Sequence, residues 1–98
     1  MNLLTATEAE ILKLLVGEPK GLYGLELVKR SDGALKRGSV YVLLSRLEDK
    51  GYVKVKSIAT SEHGGMPRRQ YRIEGVGQKV LREYEQMRER YEGAVHVR

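Results

Sequence analysis

Basic and small polar residues are concentrated between residues 36 and 46, where they offer positive charge and hydrogen-bond donors rather than covalent chemistry. Cations near the start of a helix suit phosphate groups, and short side chains allow close approach to base edges in a DNA major groove. Arg46 is the best candidate for a phosphate or a guanine edge, and we expect the Tyr41 hydroxyl to point at a phosphate. The candidate DNA-contacting residues of this stretch are Lys36, Arg37, Ser39, Tyr41, Val42, Ser45 and Arg46.

A second basic group lies in two later segments in which apolar and polar residues alternate as in half-exposed strands. Arg68 and Arg69 are neighbours in one of them and cannot share a face of a strand, so one is free to pair with an acidic residue of the chain. Two basic strands can lie along a phosphate backbone or place a cation in a minor groove. The candidate DNA-contacting residues of these segments and of the stretch between them are Lys54, Lys56, His63, Arg68 and Arg69.

Catalytic and metal-binding patterns are missing from the sequence. The chain has no cysteine, and neither of its two histidines, His63 and His96, has a second ligand at a metal-binding spacing. No nucleophile has a base at a recognisable spacing, and Gly75-x-Gly77 is too short to count as a phosphate-binding glycine motif. The sequence therefore predicts no enzyme, no metal site and no cofactor.

The first basic group is predicted to lie on a short helix within residues 36–50. Apolar residues recur at i, i+3, i+4 and i+7 from Val40, Ser39 is a candidate N-cap, and Gly51 is a stop signal. The side opposite the apolar stripe is small, polar and basic at one end. For this stretch taken alone, an ordinary amphipathic surface helix is an equal alternative.

Two further helices are predicted before this one. Thr5 and Thr7 are each followed three residues later by glutamate, which is the capping-box pattern of a first helix. A second helix is predicted from about Tyr23 to Arg30. Because only a few residues separate it from the next helix, the two form a helix-turn-helix pair. The later alternating segments predict two strands joined by a hairpin loop over residues 59–67.

The last predicted helix runs from about Val76 to Tyr91, with apolar residues at helical spacing among charged ones. A helix of some four turns that follows a complete small core has more apolar surface than one packing partner covers, which favours coiled-coil-like self-association. Folding back on the first helix is the alternative that periodicity leaves open. The candidate dimer-interface residues are Val76, Val80, Leu81, Tyr84, Met87 and Tyr91.

Length and charge limit the class of protein. The chain has 98 residues, a formal net charge of +5 and a pI of about 9.6, which suits one domain with a polyanionic partner. The N-terminus lacks a targeting pattern, and no apolar run approaches the roughly 20 residues that would span a bilayer. We therefore expect a cytoplasmic protein without a membrane segment.

The residues of the central helix resemble a known family. Residues 38–53 resemble the recognition-helix signature of the PadR-like winged-helix transcriptional regulators, and residues 65–73 resemble that family's wing-to-strand segment. Residues 4–12 and 24–27 are similar to its first helix and to the start of its second helix. The likeness covers nearly the whole chain in the correct order, which makes it more specific than any single motif.

Three positions depart from the family pattern. Val42 stands where proline is common, Leu25 where an aromatic residue is common, and Glu74 where threonine often precedes the last helix. None removes a residue type that the fold needs, and Val42 places an aliphatic group where it could contact a thymine methyl. The resemblance implies a homodimer held by C-terminal helices, operator binding, and in some members a small aromatic effector bound near the dimer interface.

The expected fold is α+β and mostly α, a winged helix-turn-helix of three helices plus a two-stranded β wing, followed by a C-terminal dimerisation helix. Residues 1–73 would form the DNA-binding domain and residues 74–98 the dimerisation helix and tail. The expected function is repression by a homodimer bound to a pseudo-palindromic operator on double-stranded DNA. A winged-helix protein-interaction module and a DNA-coating protein without sequence preference are the alternatives.

Overall fold

The computed structural model of the chain describes residues 4–58 and 68–96. These residues form four helices and three strands, so the mostly helical α+β class is confirmed. The sheet contains one strand more than the two that were predicted. In chain order the elements are α1 (Ala6–Val16), β1 (Leu22–Tyr23), α2 (Gly24–Arg30), α3 (Arg37–Asp49), β2 (Val53–Ile58), β3 (Arg68–Ile73) and α4 (Gly75–His96).

Helix α1 begins at the first of the two predicted capping boxes. The Thr5 hydroxyl accepts a hydrogen bond from the Glu8 amide at 3.1 Å, and the Glu8 carboxylate accepts one from the Thr5 amide at 2.9 Å. The two donors, the amides of Thr5 and Glu8, would otherwise have no hydrogen-bond partner at the N-terminus of the helix. Ile11, Leu12 and Leu15 form the apolar face of α1 and are fully buried in the core.

Strand β1 was missed by the sequence prediction, which began a helix at Tyr23. Leu22 and Tyr23 instead pair antiparallel with Tyr71 and Gln70 of β3, and α2 begins only at Gly24. A strand of two residues is too short to show an alternating pattern in the sequence. It forms through pairing with residues far along the chain, so no local pattern predicts it. The sheet order is β1-β3-β2.

Helix α3 begins at Arg37 with Lys36 as its N-cap, so the prediction that Ser39 caps this helix is wrong. Ser39 lies in the first turn, where its amide donates to the Lys36 carbonyl oxygen at 3.1 Å. Val40, Leu44 and Leu47 of the predicted apolar stripe are fully buried. The predicted stop is confirmed, since Gly51 has a φ of 79°.

Strands β2 and β3 pair antiparallel along their whole length, with Val55 opposite Tyr71 and Lys54 opposite Arg72. Alternate residues therefore face the helices or the solvent. Val53 and Tyr71 lie in the core, while Lys54 and Arg72 are exposed. The alternation predicted for the two wing strands is confirmed by this register.

Helix α4 starts beside the core and packs against α1. Leu81 is 4% exposed and belongs to the core of the chain itself, which corrects its assignment to a dimer interface. Helical spacing identifies an apolar face but not which of its residues the same chain covers. Val80 and Tyr84 are half-buried against the same core. Within residues 4–58 and 68–96, no helix has the length and apolar character needed to cross a membrane.

Candidate nucleic-acid interface

The N-terminal part of α3 presents its polar face to solvent. The apolar stripe turns Val40, Leu44 and Leu47 into the core, which leaves the opposite face outward. Tyr41 and Val42 are 47% and 53% exposed, the largest apolar groups of that face. The predicted contact residues that α3 and its cap bring together on one exposed surface are Lys36, Arg37, Ser39, Tyr41, Val42, Ser45 and Arg46.

The outer face of the sheet carries further positive charge. Lys54 lies directly opposite Arg72, and Lys56 lies opposite Gln70. Like charges directly opposite one another destabilise a strand pair, so an anion bound nearby would relieve this repulsion. The contact prediction included the two lysines but not Arg72, although its position on the polar face of β3 was visible in the alternation. His63, the remaining wing candidate, lies outside the described residues.

Arg68 and Arg69 point in different directions, as their adjacency on one strand predicted. The Arg69 guanidinium is 3.3 Å from the Glu48 carboxylate at the end of α3. The Arg68 guanidinium stacks over the Tyr23 ring at 4.0 Å from its centroid. The expected pairing of one arginine with an acidic residue is confirmed for Arg69, which thereby connects β3 to α3.

A cleft of about 300 Å³ opens where α3, the start of α2 and β3 meet. It lies beside the exposed face of α3 and draws Tyr41 and the two wing arginines into one site. Sequence reasoning missed its other members, because β1 was not predicted and the approach of α2 to α3 has no sequence signature. The lining residues are Tyr23, Gly24, Leu25, Tyr41, Arg68 and Arg69.

Gly24 allows Tyr41 to lie across the start of α2. A Cβ atom at Gly24 would be 2.5 Å from Cε1 and 2.8 Å from the hydroxyl oxygen of Tyr41, well inside van der Waals contact. Any larger residue would therefore displace the ring. Near this site, burial raises the pKa of Tyr71 above its ordinary value of 10, partly opposed by the Arg69 charge, so this tyrosine stays neutral.

The opposite end of α3 is connected to α1 by a half-buried ion pair. Lys50 Nζ lies 3.3 Å from the Glu8 carboxylate, whose side chain is 4% exposed. Burial alone would raise the pKa of Glu8, but the hydrogen bond from the Thr5 amide and the bond and charge of Lys50 outweigh it and lower that pKa below 4.5. Glu8 is thus ionised and serves as a cap and an anchor together.

The predicted interface residues of α4 divide into two sets. Val76, Met87 and Tyr91 are 57%, 53% and 73% exposed, respectively, and form an apolar surface that the described residues do not cover. Val80 and Tyr84 contact both the core and the solvent, and Leu81 is internal. In the part of the chain that the structure describes, no three histidine or acidic residues lie close enough to hold a metal ion.

A helix-turn-helix pair whose second helix turns a polar face outward, followed by two antiparallel strands, defines a winged helix-turn-helix protein, a class that binds DNA. Comparison with known sequences agrees. Residues 11–83 match the transcriptional regulator PadR-like family. The chain belongs to this family, whose members are transcriptional regulators and not enzymes. Among curated protein sequences, none matches this chain.

Solved structures of the same class superpose on most of the chain. A PadR family transcription regulator from Clostridium difficile is 28% identical, with a TM-score of 0.72 over 93% of this chain and 94% of the other. A PadR-like transcriptional regulator from Bacillus cereus is 27% identical, with a TM-score of 0.72 over 90% of this chain and 85% of the other.

Proposed function

We propose that this DNA-binding regulator is a repressor that acts as a homodimer on a pseudo-palindromic operator. The observation that carries the proposal is the exposed face of α3, on which Lys36, Arg37 and Arg46 are all exposed beside small polar groups. In such a dimer the two α3 helices enter successive major grooves roughly 34 Å apart.

Each element has its own part in this proposal. The cations at the start of α3 contact phosphates, Arg46 contacts a phosphate or a guanine edge, and Val42 lies near a thymine methyl. Lys54 and Lys56 follow the backbone beside the groove. Arg69, although predicted to contact DNA, is better assigned to positioning the wing, because Glu48 already holds its guanidinium at 3.3 Å.

Two copies of α4 would form the dimer interface. Its exposed Val76, Met87 and Tyr91 need a cover, and a second copy of the same helix supplies a self-complementary one. In this proposal residues 1–73 bind DNA and residues 74–98 dimerise. A small aromatic effector at the dimer seam and a cytoplasmic location remain predictions.

The proposal is tested by selecting bound fragments from randomised duplex DNA at low and at physiological salt, while the mass of the complex is measured. We expect an inverted repeat bound by two chains, and transcription from a promoter carrying that repeat should fall when the protein is added. Arg46→Ala should weaken binding by roughly tenfold at one base position, whereas Lys13→Ala, which removes an exposed charge from α1, should not. Enrichment of a site without symmetry would contradict the pseudo-palindromic operator. Binding of a single chain would contradict the homodimer, and activation of the promoter would contradict repression.

A protein-interaction module is the second candidate, favoured only by the exposed apolar surface of α4. In that case the chain would bind no duplex DNA at physiological salt, and Arg46→Ala would have no effect on its interactions. Binding of equal strength to every duplex would instead indicate a coating protein.

A further inference from the structure

The cleft between α2, α3 and β3 is lined by positive and not by negative side chains. Two of its six lining residues are arginines and none is acidic. Arg69 is compensated by Glu48 at 3.3 Å, so the charge that remains for a ligand is that of Arg68. A cleft in which one guanidinium has no acidic partner among the described residues selects for an anion.

Arg68 is held ready for such a ligand. Its guanidinium lies over the Tyr23 ring at 4.0 Å from the centroid, where cation–π attraction fixes the plane of the group. A guanidinium stacked by its face keeps its N–H edges available, and these edges match two oxygens of a phosphate. The stack also lowers the entropy that would otherwise be lost when the anion binds.

A second donor comes from another element. The Tyr41 ring lies across Gly24, and its hydroxyl oxygen would be 2.8 Å from a Cβ atom at that position. The ring is therefore directed along the start of α2 and lines the same cleft as Arg68. The Tyr23 amide at this end of α2 already donates to the Glu26 carboxylate at 2.8 Å, so it offers no donor to an anion in the cleft.

We propose that this cleft binds one phosphate group, held between the Arg68 guanidinium and the Tyr41 hydroxyl, with Tyr23 as the platform for the arginine. The source is a backbone phosphate of the bound DNA, and this assignment rests on the proposed function. One phosphate bound here is contacted by the helix-turn-helix pair and by the wing together, which fixes the wing relative to α3.

The test is a double-variant cycle measured on one duplex of fixed sequence. Arg68→Gln should weaken binding by about tenfold and Tyr41→Phe by about threefold, because each removes one bond to a charged group. The double variant should be weaker by clearly less than the product, since both donors serve the same phosphate. Lys13→Gln, combined with Arg68→Gln as the matched control, should be additive.

Replacing one phosphate at a time by a neutral methylphosphonate locates the contact. One position should lower the affinity of the wild-type chain, should lower that of Arg68→Gln and of Tyr41→Phe by less, and should leave the double variant unaffected. Tyr23→Leu should lose part of the same effect, because the guanidinium then lacks its platform. The phosphate site would be overturned if the wild-type chain binds the duplex but the effects of Arg68→Gln and Tyr41→Phe are additive. It would also be overturned if no phosphate position is coupled to both residues. Either result would leave the proposed function intact.

Inorganic phosphate separates the two proposals if the wild-type chain binds no duplex. Phosphate is titrated while the amide signals of Gly24, Leu25 and Arg68 are followed by NMR, with Arg68→Gln as the control. Saturable shifts that Arg68→Gln abolishes would support the phosphate site with a free phosphate as its source, although the DNA function had failed. Unchanged signals would overturn both proposals.

Discussion

Helix α3 meets a glycine of another helix at each of its ends, and the two contacts differ in kind. Just beyond its C-terminal end, a Cβ atom at Gly77 of α4 would collide with the carbonyl oxygen of Tyr52. Near its N-terminal end, the atoms nearest to a Cβ atom at Gly24 of α2 would be the outer atoms of the Tyr41 ring. Main chain cannot move out of the way, whereas the end of an exposed side chain can.

The same contrast extends to the charges. At the C-terminal end, Lys50 pairs with the buried Glu8 at 3.3 Å, and the Tyr52 carbonyl oxygen accepts a hydrogen bond from the Glu74 amide at 2.9 Å. At the N-terminal end, Lys36 and Arg37 are exposed. One end of α3 thus stabilises the fold, and the other keeps its charges and its tyrosine available to a partner.

The largest effect is expected from Gly77→Ala, which should lower the free energy of unfolding by about 3 kcal/mol, since the added methyl group forces α4 away from the Tyr52 carbonyl. Chemical denaturation measures it. Gly75→Ala is the matched control in the same helix, because a Cβ atom there has no neighbour within 4 Å. Equal stability of the two variants would show that the C-terminal end is not fixed by main-chain contact.

Glu8→Gln should cost about 1.5 kcal/mol, less than a fully buried pair because Lys50 remains one-third exposed. The lowered pKa of Glu8 also predicts a pH dependence. Its stabilisation is complete above the ordinary value of 4.5 and is lost as the pH falls through the lower pKa of the folded state. Denaturation at several pH values should therefore show a smaller acid loss in Glu8→Gln than in the wild-type chain. If the free energy of unfolding falls equally with pH in both chains, ionised Glu8 does not stabilise the fold.

Glu48→Gln and Arg69→Gln should each change stability by only about 0.5 kcal/mol, because the pair is exposed. Their effect on DNA affinity tests what Arg69 does. If it positions the wing, both variants weaken binding by a similar and small factor. If Arg69 contacts DNA directly, Arg69→Gln weakens binding while Glu48→Gln strengthens it by removing a negative charge.

Gly24→Ala should have the smallest effect on stability, within about 0.5 kcal/mol, because alanine suits a helix and the Tyr41 ring can swing outward. DNA binding should nevertheless fall as far as it does in Tyr41→Phe. In a Tyr41→Ala background, Gly24→Ala should have no further effect on DNA affinity. A large loss of stability would mean that the N-terminal end is as fixed as the C-terminal end.

Local patterns predicted most of the fold. The Thr5 capping box, the apolar stripe of α3 and the Gly51 stop each depend on residues within a few positions, and all are confirmed. The N-cap of α3 was misplaced because a residue type that can cap does not by itself set where a helix starts, and Lys36 occupies the cap without a side-chain hydrogen bond. The candidate contact residues of α3 could be chosen from the sequence because the buried stripe defines the face opposite to it.

What the sequence could not give depends on distant partners. Strand β1 exists through pairing with β3, so the stack of Arg68 on Tyr23 and the cleft beside it were invisible. Leu81 showed the same problem in α4, where periodicity marked an apolar face and the three-dimensional packing decided which of its residues stayed exposed.

The pairing of β1 with β3 also determines when the cleft is completed as the chain is synthesised and folds. Leu22 pairs with Tyr71, so β1 can join the sheet only after nearly three quarters of the sequence is available. Until then the helix pair can exist, but Tyr23 has no Arg68 to support. A nascent chain that has not yet reached the end of β3 therefore lacks the complete cleft.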